Sequence, residues 1–441
     1  MVSRAFKLYA SYSLVIRARL PHRIFFAAGA SAAYNASMLV RQSVARGTPI
    51  IYVSLNYRLG PLGFPQGPEA EARGSLNIGL CDQWAAFEWI QTNIRNFGGD
   101  PDKVTIFGQS AGAISLALHY LNENFTNVAR AAIFESGSAS TLSLFNASRL
   151  YPSWLAFARG TPSCTSSMSL SKNDTFSCLL TATSDEILAG MEAAQSFNQQ
   201  QFPFIPVLDG LNGVVPTLPS LRLGVGAKVP FISGTVLDEG TSFFPTSVST
   251  TNELQDWIFR YYTPSQEGSV TLEIATAVLL ALYEDPSMRS PFGTGNQTFG
   301  LSMDFKRVGD LWFQGQRRIW TKTAATIGTR TYGYLFTDPQ PNVQPYLGVA
   351  HSSEGQYVYG QIPANETAAT LSSAIMDYWI SFANSLDPND GKGTQRPNWE
   401  SYGDNQRILQ LQTENTTLIE DDYRSLPIDD FINRNNVLFG Q

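Results

Sequence analysis

The chain has 441 residues, of which 43% are hydrophobic and 15% are charged, and this balance is typical of a folded globular protein. Its formal net charge of -7 provides no basic surface for a phosphate backbone, which argues against nucleic acid as a partner. No apolar run is long enough to cross a bilayer. The longest, residues 274–283, is expected to form a buried helix.

Strand and helix patterns alternate along the first third of the chain. The β-branched run at 49–57 predicts a buried strand, and apolar residues spaced by three or four from Leu80 to Ile94 predict a helix that ends at Gly98. The segments 104–107 and 131–134 are the next strands, with a helix between them. This order predicts an α/β fold: a mostly parallel central sheet with helices on both faces.

One serine stands where the strand at 104–107 turns into the next helix. Ser110 lies between Gly108 and Gly112 in the sequence FGQSAG, and a tight turn of this kind lifts a hydroxyl toward a substrate only if its neighbours lack bulk. A plain glycine-rich connection is the alternative. The flanking strand and helix favour a catalytic nucleophile at the carboxyl edge of the sheet, where open α/β sheets bind ligands.

A serine nucleophile needs a base, and the chain has three histidines. His22 lies in the N-terminal segment, and His119 follows Ser110 on the same helix, about 13 Å along its axis. His351 stands in a loop after a strand-like segment, so it is the predicted base.

A carboxylate must orient that imidazole. Asp238 and Glu239 follow a predicted strand near residues 230–233, and spacing alone does not choose between the two acids. The order of serine, acid and histidine is that of α/β-hydrolases.

Four stretches, at 55–64, 76–112, 234–244 and 348–360, resemble the type-B carboxylesterase family, which has the α/β-hydrolase fold. Residues 290–307 resemble its secreted fungal branch, which includes carotenoid ester lipases and lipases of the Candida rugosa type. The resemblance implies a Ser-His-Glu triad that hydrolyses carboxylic esters through an acyl-enzyme intermediate, with no metal or cofactor. The substrate would be a small-molecule or lipid ester.

Residue roles follow from that resemblance. It assigns Ser110 as the nucleophile, His351 as the base, Glu239 as its acid and the N–H of Ala111 as an oxyanion donor. Glu354 matches a supporting acid, with Gly108, Gln109 and Gly112 around the nucleophile. The family usually has glutamate at the position of Gln109, and the missing charge argues against a cationic substrate.

The N-terminus departs from the family. Residues 1–24 are predicted to be a divergent segment and 25–441 a single domain, with some of the family's N-terminal strands missing. Arg23, Ile24 and Phe25 stand about where the family has an oxyanion glycine run, and loss of one such donor costs about 2.7 to 4 kcal/mol. A catalytically impaired or non-catalytic binding protein is therefore the alternative function.

Cysteines and glycosylation motifs suggest an extracellular protein, although the N-terminus has no convincing signal peptide. Cys164 and Cys178 lie in a polar stretch read as a surface loop, where a bridge is worth about 3 kcal/mol, and they match a family disulfide. Cys81 is expected to be free and buried. Candidate glycosylation sites are Asn35, Asn124, Asn146, Asn173, Asn296, Asn365 and Asn415. Sequence does not indicate an oligomeric state.

Overall fold

The fold is seen in a computed structural model. The structure describes residues 6–13, 26, 29–31, 34–165, 174–197, 202–243, 250–262, 270–283, 308–340, 343–344, 347–362, 367–403 and 405–441. Within these ranges the central feature is an eight-stranded sheet of spatial order β2-β1-β3-β4-β5-β6-β7-β8. Its strands are β1 (Phe6–Ser13), β2 (Ile50–Ser54), β3 (Gly99–Gln109), β4 (Ala131–Glu135), β5 (Phe231–Val236), β6 (Thr331–Phe336), β7 (Arg407–Leu411) and β8 (Thr417–Glu420).

The sheet is parallel except at one edge, where β7 and β8 pair antiparallel. Strand β1 runs between β2 and β3 and is parallel to both. It belongs to the segment for which we expect divergence from the family, and that segment thus contributes a strand to the interior of the sheet. The predicted mostly parallel α/β architecture is confirmed.

Helices connect and cover the strands. Longer helices are α1 (Ser37–Ala45), α4 (Ile78–Asn93), α5 (Ala111–Tyr120), α6 (Tyr151–Gly160), α8 (Ser184–Phe197), α9 (Thr251–Tyr262), α10 (Val270–Ala281), α11 (Gly315–Thr326) and α13 (Ala368–Ser385). Shorter α-helices are α2 (Gly60–Gly63), α3 (Pro68–Ala72), α7 (Thr175–Leu179) and α12 (Gly355–Val358). Single turns of 3₁₀-helix are Ile94–Phe97, Glu123–Asn127, Pro162–Cys164, Pro219–Arg222 and Glu239–Ser242, and π-helical turns are Asp310–Gln314 and Leu426–Ile432.

The core is divided by the sheet because successive strand residues point to opposite faces. On one face Phe107 and Ile133 pack with residues of α1 and α13, including Trp379. On the other face Ile106 and Phe134 pack with α4, α5 and α11. Both faces of the parallel strands are thus buried, which is why these segments read as continuous apolar runs.

Two expectations about surface and core need correction. Cys81 is free as predicted, but it is exposed on α4, because the helix turns it away from the sheet. The run at 274–283 is only half-buried: Ile274 is 58% exposed, whereas Leu279 faces the core. Neither hydropathy nor length reveals which side of such a helix has a partner.

The Cys164–Cys178 disulfide forms as expected. Its surroundings differ from the predicted surface loop, because Cys164 is fully buried at the end of the 3₁₀ turn and Cys178 lies in α7. The bridge therefore joins two helical turns. Among the described residues, no helix is long and apolar enough to cross a membrane.

Candidate active site

Ser110 occupies the sharp turn between β3 and α5. Its φ of 56° is in the left-handed region, which is rare and strained for a residue with a side chain. A Cβ on Gly108 would lie 2.6 Å from the carbonyl carbon of Gly112, so the turn can close only with glycine at 108. The backbone N–H of Ser110 donates to the Glu135 carbonyl at 2.8 Å, which fixes the turn against β4.

His351 reaches Ser110 from the loop between β6 and α12. Its Nε2 lies 2.7 Å from the Oγ of Ser110, and its Nδ1 is hydrogen-bonded to the carboxylate of Glu239. Ser110 and Glu239 are 6% and 1% exposed. The three side chains thus form one continuous hydrogen-bonded chain, of which the serine and the glutamate are buried.

The structure separates the two acids that spacing left open. Glu239 begins the 3₁₀ turn after β5, and its Oε1 accepts from the Val236 N–H at 2.9 Å while its other oxygen meets His351. Asp238 points elsewhere and accepts from the Val349 N–H at 2.9 Å. Asp238 therefore holds the histidine loop to the strand end, and Glu239 holds the imidazole.

His119 is bonded to a residue outside the arrangement of Ser110, His351 and Glu239. It is buried in α5, where its Nε2 pairs with Gln83 at 3.0 Å, and burial lowers its pKa to about 3. We therefore interpret His119 as a structural residue, because burial keeps its imidazole neutral and its partner lies outside the site. His22 lies outside the described residues.

Gln109 lies beside the histidine, with its Nε2 3.4 Å from the His351 Nε2. It is 3% exposed and carries no charge, so the side chain nearest to the Ser110–His351 pair on β3 is neutral. Ala111 is the first residue of α5, and the N–H of a first-turn residue has no intrahelical acceptor. Arg23, Ile24 and Phe25 lie outside the described residues.

Aromatic side chains surround the imidazole, and sequence reasoning missed them. The rings of Phe243 and Phe313 lie 4.8 and 4.9 Å from the His351 ring, and they stack on each other at 5.6 Å. Trp312 packs on Phe243 at 5.6 Å. Trp312 and Phe313 lie in a π-helical turn, and such turns are frequent at functional sites. The sequence did not reveal this turn, because a π-helical turn has no reliable sequence pattern.

This turn is anchored by a buried ion pair. The guanidinium of Arg424 forms two hydrogen bonds to the carboxylate of Asp310, which also accepts from the Tyr283 hydroxyl at 2.7 Å. Because Asp310 begins the π-turn, these bonds set the position of the Phe313 ring against His351.

A further buried carboxyl lies close to His351 and Glu239. Glu354, three residues after His351, accepts from the Ser136 hydroxyl at 3.0 Å. Burial, together with the charge of Glu239, raises the pKa of Glu354 to about 7. Sequence reasoning found Glu354 only by resemblance, and it missed Ser136 and the neighbouring Glu135, because nothing in the local pattern at the end of β4 marks them as part of a site.

The geometry of the site is that of nucleophilic catalysis. A hydroxyl, an imidazole and a carboxylate in this order let the imidazole take the hydroxyl proton while the carboxylate stabilises the imidazolium that results. The apolar surroundings strengthen each of these interactions by excluding water.

Comparisons with known proteins agree with this chemistry. Residues 20–429 match the model of the carboxylesterase family. Lipase 2 of Geotrichum candidum is 35% identical over 430 residues, which is 92% of this chain and 72% of that protein. Secreted lipase 1 of Botryotinia fuckeliana is 34% identical over 423 residues, which is 92% of this chain and 70% of that protein.

A solved structure supports the fold. The crystal structure of Aspergillus niger EstA superposes with a TM-score of 0.82 at 24% identity, and the match covers 99% of this chain and 82% of that one. The resemblance found in the sequence is thereby confirmed, as is the α/β-hydrolase fold. The chain belongs to the carboxylesterase family, and it is a serine ester hydrolase.

Proposed function

We propose that this chain hydrolyses uncharged carboxylic esters through an acyl-enzyme intermediate on Ser110, with His351 as general base and acid and Glu239 as its partner. The observation that carries the proposal is the continuous chain from the Ser110 Oγ through His351 to the Glu239 carboxylate. Two hydrogen bonds on one imidazole set its tautomer: Nδ1 carries the proton, and Nε2 is free to accept one.

The reaction would proceed in two halves. The Ser110 Oγ attacks the ester carbonyl carbon while its proton passes to the Nε2 of His351. The tetrahedral oxyanion accepts a hydrogen bond from the Ala111 N–H. The imidazolium gives its proton to the leaving alcohol, and water then attacks the acyl-enzyme by the same route in reverse.

The surroundings of the site favour a neutral, apolar substrate. Phe243, Phe313 and Trp312 present rings next to the imidazole, and Gln109 adds no charge. An acyl or alcohol group that replaces water against these rings gains about 25 cal/mol per Å² of apolar surface buried. A cationic ester would lose hydration there and would gain no attraction from position 109, because Gln109 is neutral.

The test is a series of p-nitrophenyl esters from acetate to palmitate, with the 441-residue chain beside Ser110→Ala. We expect hydrolysis that falls by a factor on the order of 10⁶ in kcat in the variant, because the triad acts as a unit. Hydrolysis by Ser110→Ala at a rate close to that of the unsubstituted chain would refute the mechanism. The preferred chain length would distinguish a lipase from a simple esterase.

The alternative is a binding protein with the same fold. It is favoured by the sequence Arg23-Ile24-Phe25, which stands about where the family resemblance expects the oxyanion glycines. It predicts that the folded chain binds a p-nitrophenyl ester without hydrolysing it. A burst of p-nitrophenol equal to the enzyme concentration would exclude it, because that burst requires an acylated serine.

We also propose an extracellular glycoprotein. The support comes from the Cys164–Cys178 disulfide, from the secreted lipases of Botryotinia fuckeliana and Gibberella zeae among the relatives, and from four exposed candidate asparagines at 35, 124, 146 and 415. Asn173, Asn296 and Asn365 lie outside the described residues. Expression in a eukaryotic secretion host, followed by an endoglycosidase shift on a gel, tests this proposal.

A further inference from the structure

The carboxylate of the proposed triad belongs to a cluster of buried acids, which contains more carboxyls than one imidazole can neutralise. Glu239, Glu354 and Glu135 are each 1% exposed. Glu354 and Glu135 play no part in the mechanism described above. Ionising all three would be costly, because burial and each neighbouring charge disfavour a further carboxylate.

Glu135 lies on the same face of the sheet as Gln109, beside the proposed triad. It ends β4 and lies in register with Gln109 on β3 and Gly234 on β5, while Gly234 lies in register with Tyr334 on β6. Glu135 also takes a hydrogen bond from the indole N–H of Trp379 on α13, at 2.6 Å. This hydrogen bond and its burial hold the Glu135 side chain in the interior of the protein.

The absence of a side chain at Gly234 makes room for this cluster. A Cβ there would lie 2.1 Å from the ring of Tyr334, so the phenol lies across β5 toward β4. Its hydroxyl is buried and has no hydrogen-bond partner among the described residues, and the same is true of the Oε2 of Glu354. The cluster thus contains groups that a proton or a bound water would satisfy.

Glu354 is bound to the residue next to Glu135. The hydroxyl of Ser136 donates to the Oε1 of Glu354 at 3.0 Å, and Ser136 holds a left-handed backbone with a φ of 51°. Its N–H donates to the Gly234 carbonyl at 2.9 Å. This strained residue points its hydroxyl at Glu354 while its chain neighbour carries the second acid.

The charges that act on each member differ. Glu354 is influenced by the anion of Glu239 and by His351, which favours its ionised form when protonated. Glu135 is raised in pKa by burial first and by the charge of Glu354 second, well above the ordinary range of a glutamate. Burial and the three acids raise the pKa of Tyr334, so the phenol stays neutral.

We propose that Glu135 and Glu354 form a carboxyl pair with a single proton, which Glu135 carries as the neutral acid while Glu354 is the anion. In this arrangement Glu354 is a positioning residue, which stabilises the imidazolium that forms when His351 takes the Ser110 proton. The neutral Glu135 spares the cluster a third negative charge. This inference rests on the proposed function, since the imidazolium forms only if His351 acts as the base.

Kinetics test the role of Glu354. We expect Glu354→Gln to move the acid limb of kcat/KM to lower pH by about one unit, because one neighbouring anion fewer makes the imidazolium less stable. One pKa unit corresponds to a factor of ten in stability. If the imidazolium is fully formed in the transition state, kcat on the pH-independent plateau therefore also falls about tenfold. Glu69→Gln is the matched control, since Glu69 is a buried glutamate bound to Thr175 near the disulfide, and its acid limb should not move.

Infrared spectroscopy tests the proton without relying on activity. At pH 8 we expect a protonated-carboxyl band that disappears in Glu135→Gln and persists in Glu354→Gln. A band that is unchanged in Glu135→Gln, or an acid limb that stays in place in Glu354→Gln, would overturn the inference. If the unsubstituted chain fails to hydrolyse esters, the proposed mechanism is wrong, and the infrared band still decides whether the pair holds a proton.

Discussion

Two adjacent buried acids allow a sharp test of the site. Glu239→Gln keeps the size of the side chain and removes its charge. Because the Val236 N–H donates to the Oε1 of Glu239, the amide oxygen of glutamine would stay on Val236 and its NH₂ would face His351. The Nδ1 of His351 would then have to accept, and its proton would move to Nε2. That tautomer cannot take the Ser110 proton.

The magnitude follows from this change of tautomer. Replacement of the acid by its amide in the serine-protease triad lowers kcat by about 10⁴, which corresponds to about 5 kcal/mol of transition-state stabilisation. We expect a loss of this order for Glu239→Gln, with the pattern of a kcat effect and little change in KM.

Asp238→Asn is the matched control. Asp238 is 2% exposed and accepts from the Val349 N–H, and asparagine keeps an oxygen that can accept the same bond. We expect a fall in the free energy of unfolding of about 1 to 2 kcal/mol from the weakened charge-assisted bond, and kcat within about tenfold of the unsubstituted chain.

The assay is hydrolysis of p-nitrophenyl butyrate at pH 8, with urea unfolding to establish the folded fraction of each variant. Equal losses of kcat in the two variants would contradict the assignment of the two acids. So would a Glu239→Gln enzyme that keeps more than about a tenth of its activity.

Three further predictions concern the rest of the molecule. Because burial lowers the folded-state pKa of His119 to about 3, the unfolded chain binds a proton below pH 6.5 that the folded chain does not. The folded state therefore loses about 2 kcal/mol between pH 7.5 and 5, and His119→Gln should remove this loss in urea unfolding while kcat at pH 7.5 is retained. Asp421 pairs with buried Arg317 and Arg318, so Asp421→Asn should lower the free energy of unfolding by about 3 to 5 kcal/mol. Asp430→Asn breaks the exposed pair with Arg434 and should lower it by less than about 0.5 kcal/mol. Cys164→Ser should lower the free energy of unfolding by about 3 kcal/mol. Cys81→Ser, at the exposed free thiol, should leave it unchanged. Equal falls in the two variants would contradict the stabilising role of the disulfide.

Most of the fold could be predicted because its signals are local. The buried strands at 104–107 and 131–134 and the helix from Leu80 are found where the apolar spacing predicts them, as β3, β4 and α4. Period and composition are properties of a few consecutive residues, so they can be read without the rest of the chain. The exposed side of α10 could not be read in this way, because exposure depends on whether another element packs there.

The proposed nucleophile, too, could be predicted from the sequence itself. Ser110 stands between glycines at a strand-to-helix junction, and the turn that this sequence requires is the turn in the structure. His351 followed from the small number of histidines. The domain boundary at residue 25 remains a prediction.

Only the tertiary structure decided what surrounds these residues. It placed Glu239 on the imidazole and Asp238 away from it, a choice that spacing left open and the family resemblance only implied. It also brought Phe243 and Phe313 against the imidazole and joined Glu354 to the end of β4. These contacts join segments more than one hundred residues apart in several cases, and the register of the parallel strands aligns them. A carboxyl at a strand end has no local pattern that reveals its neighbours, because its environment is made by the strands and helices that pack beside it.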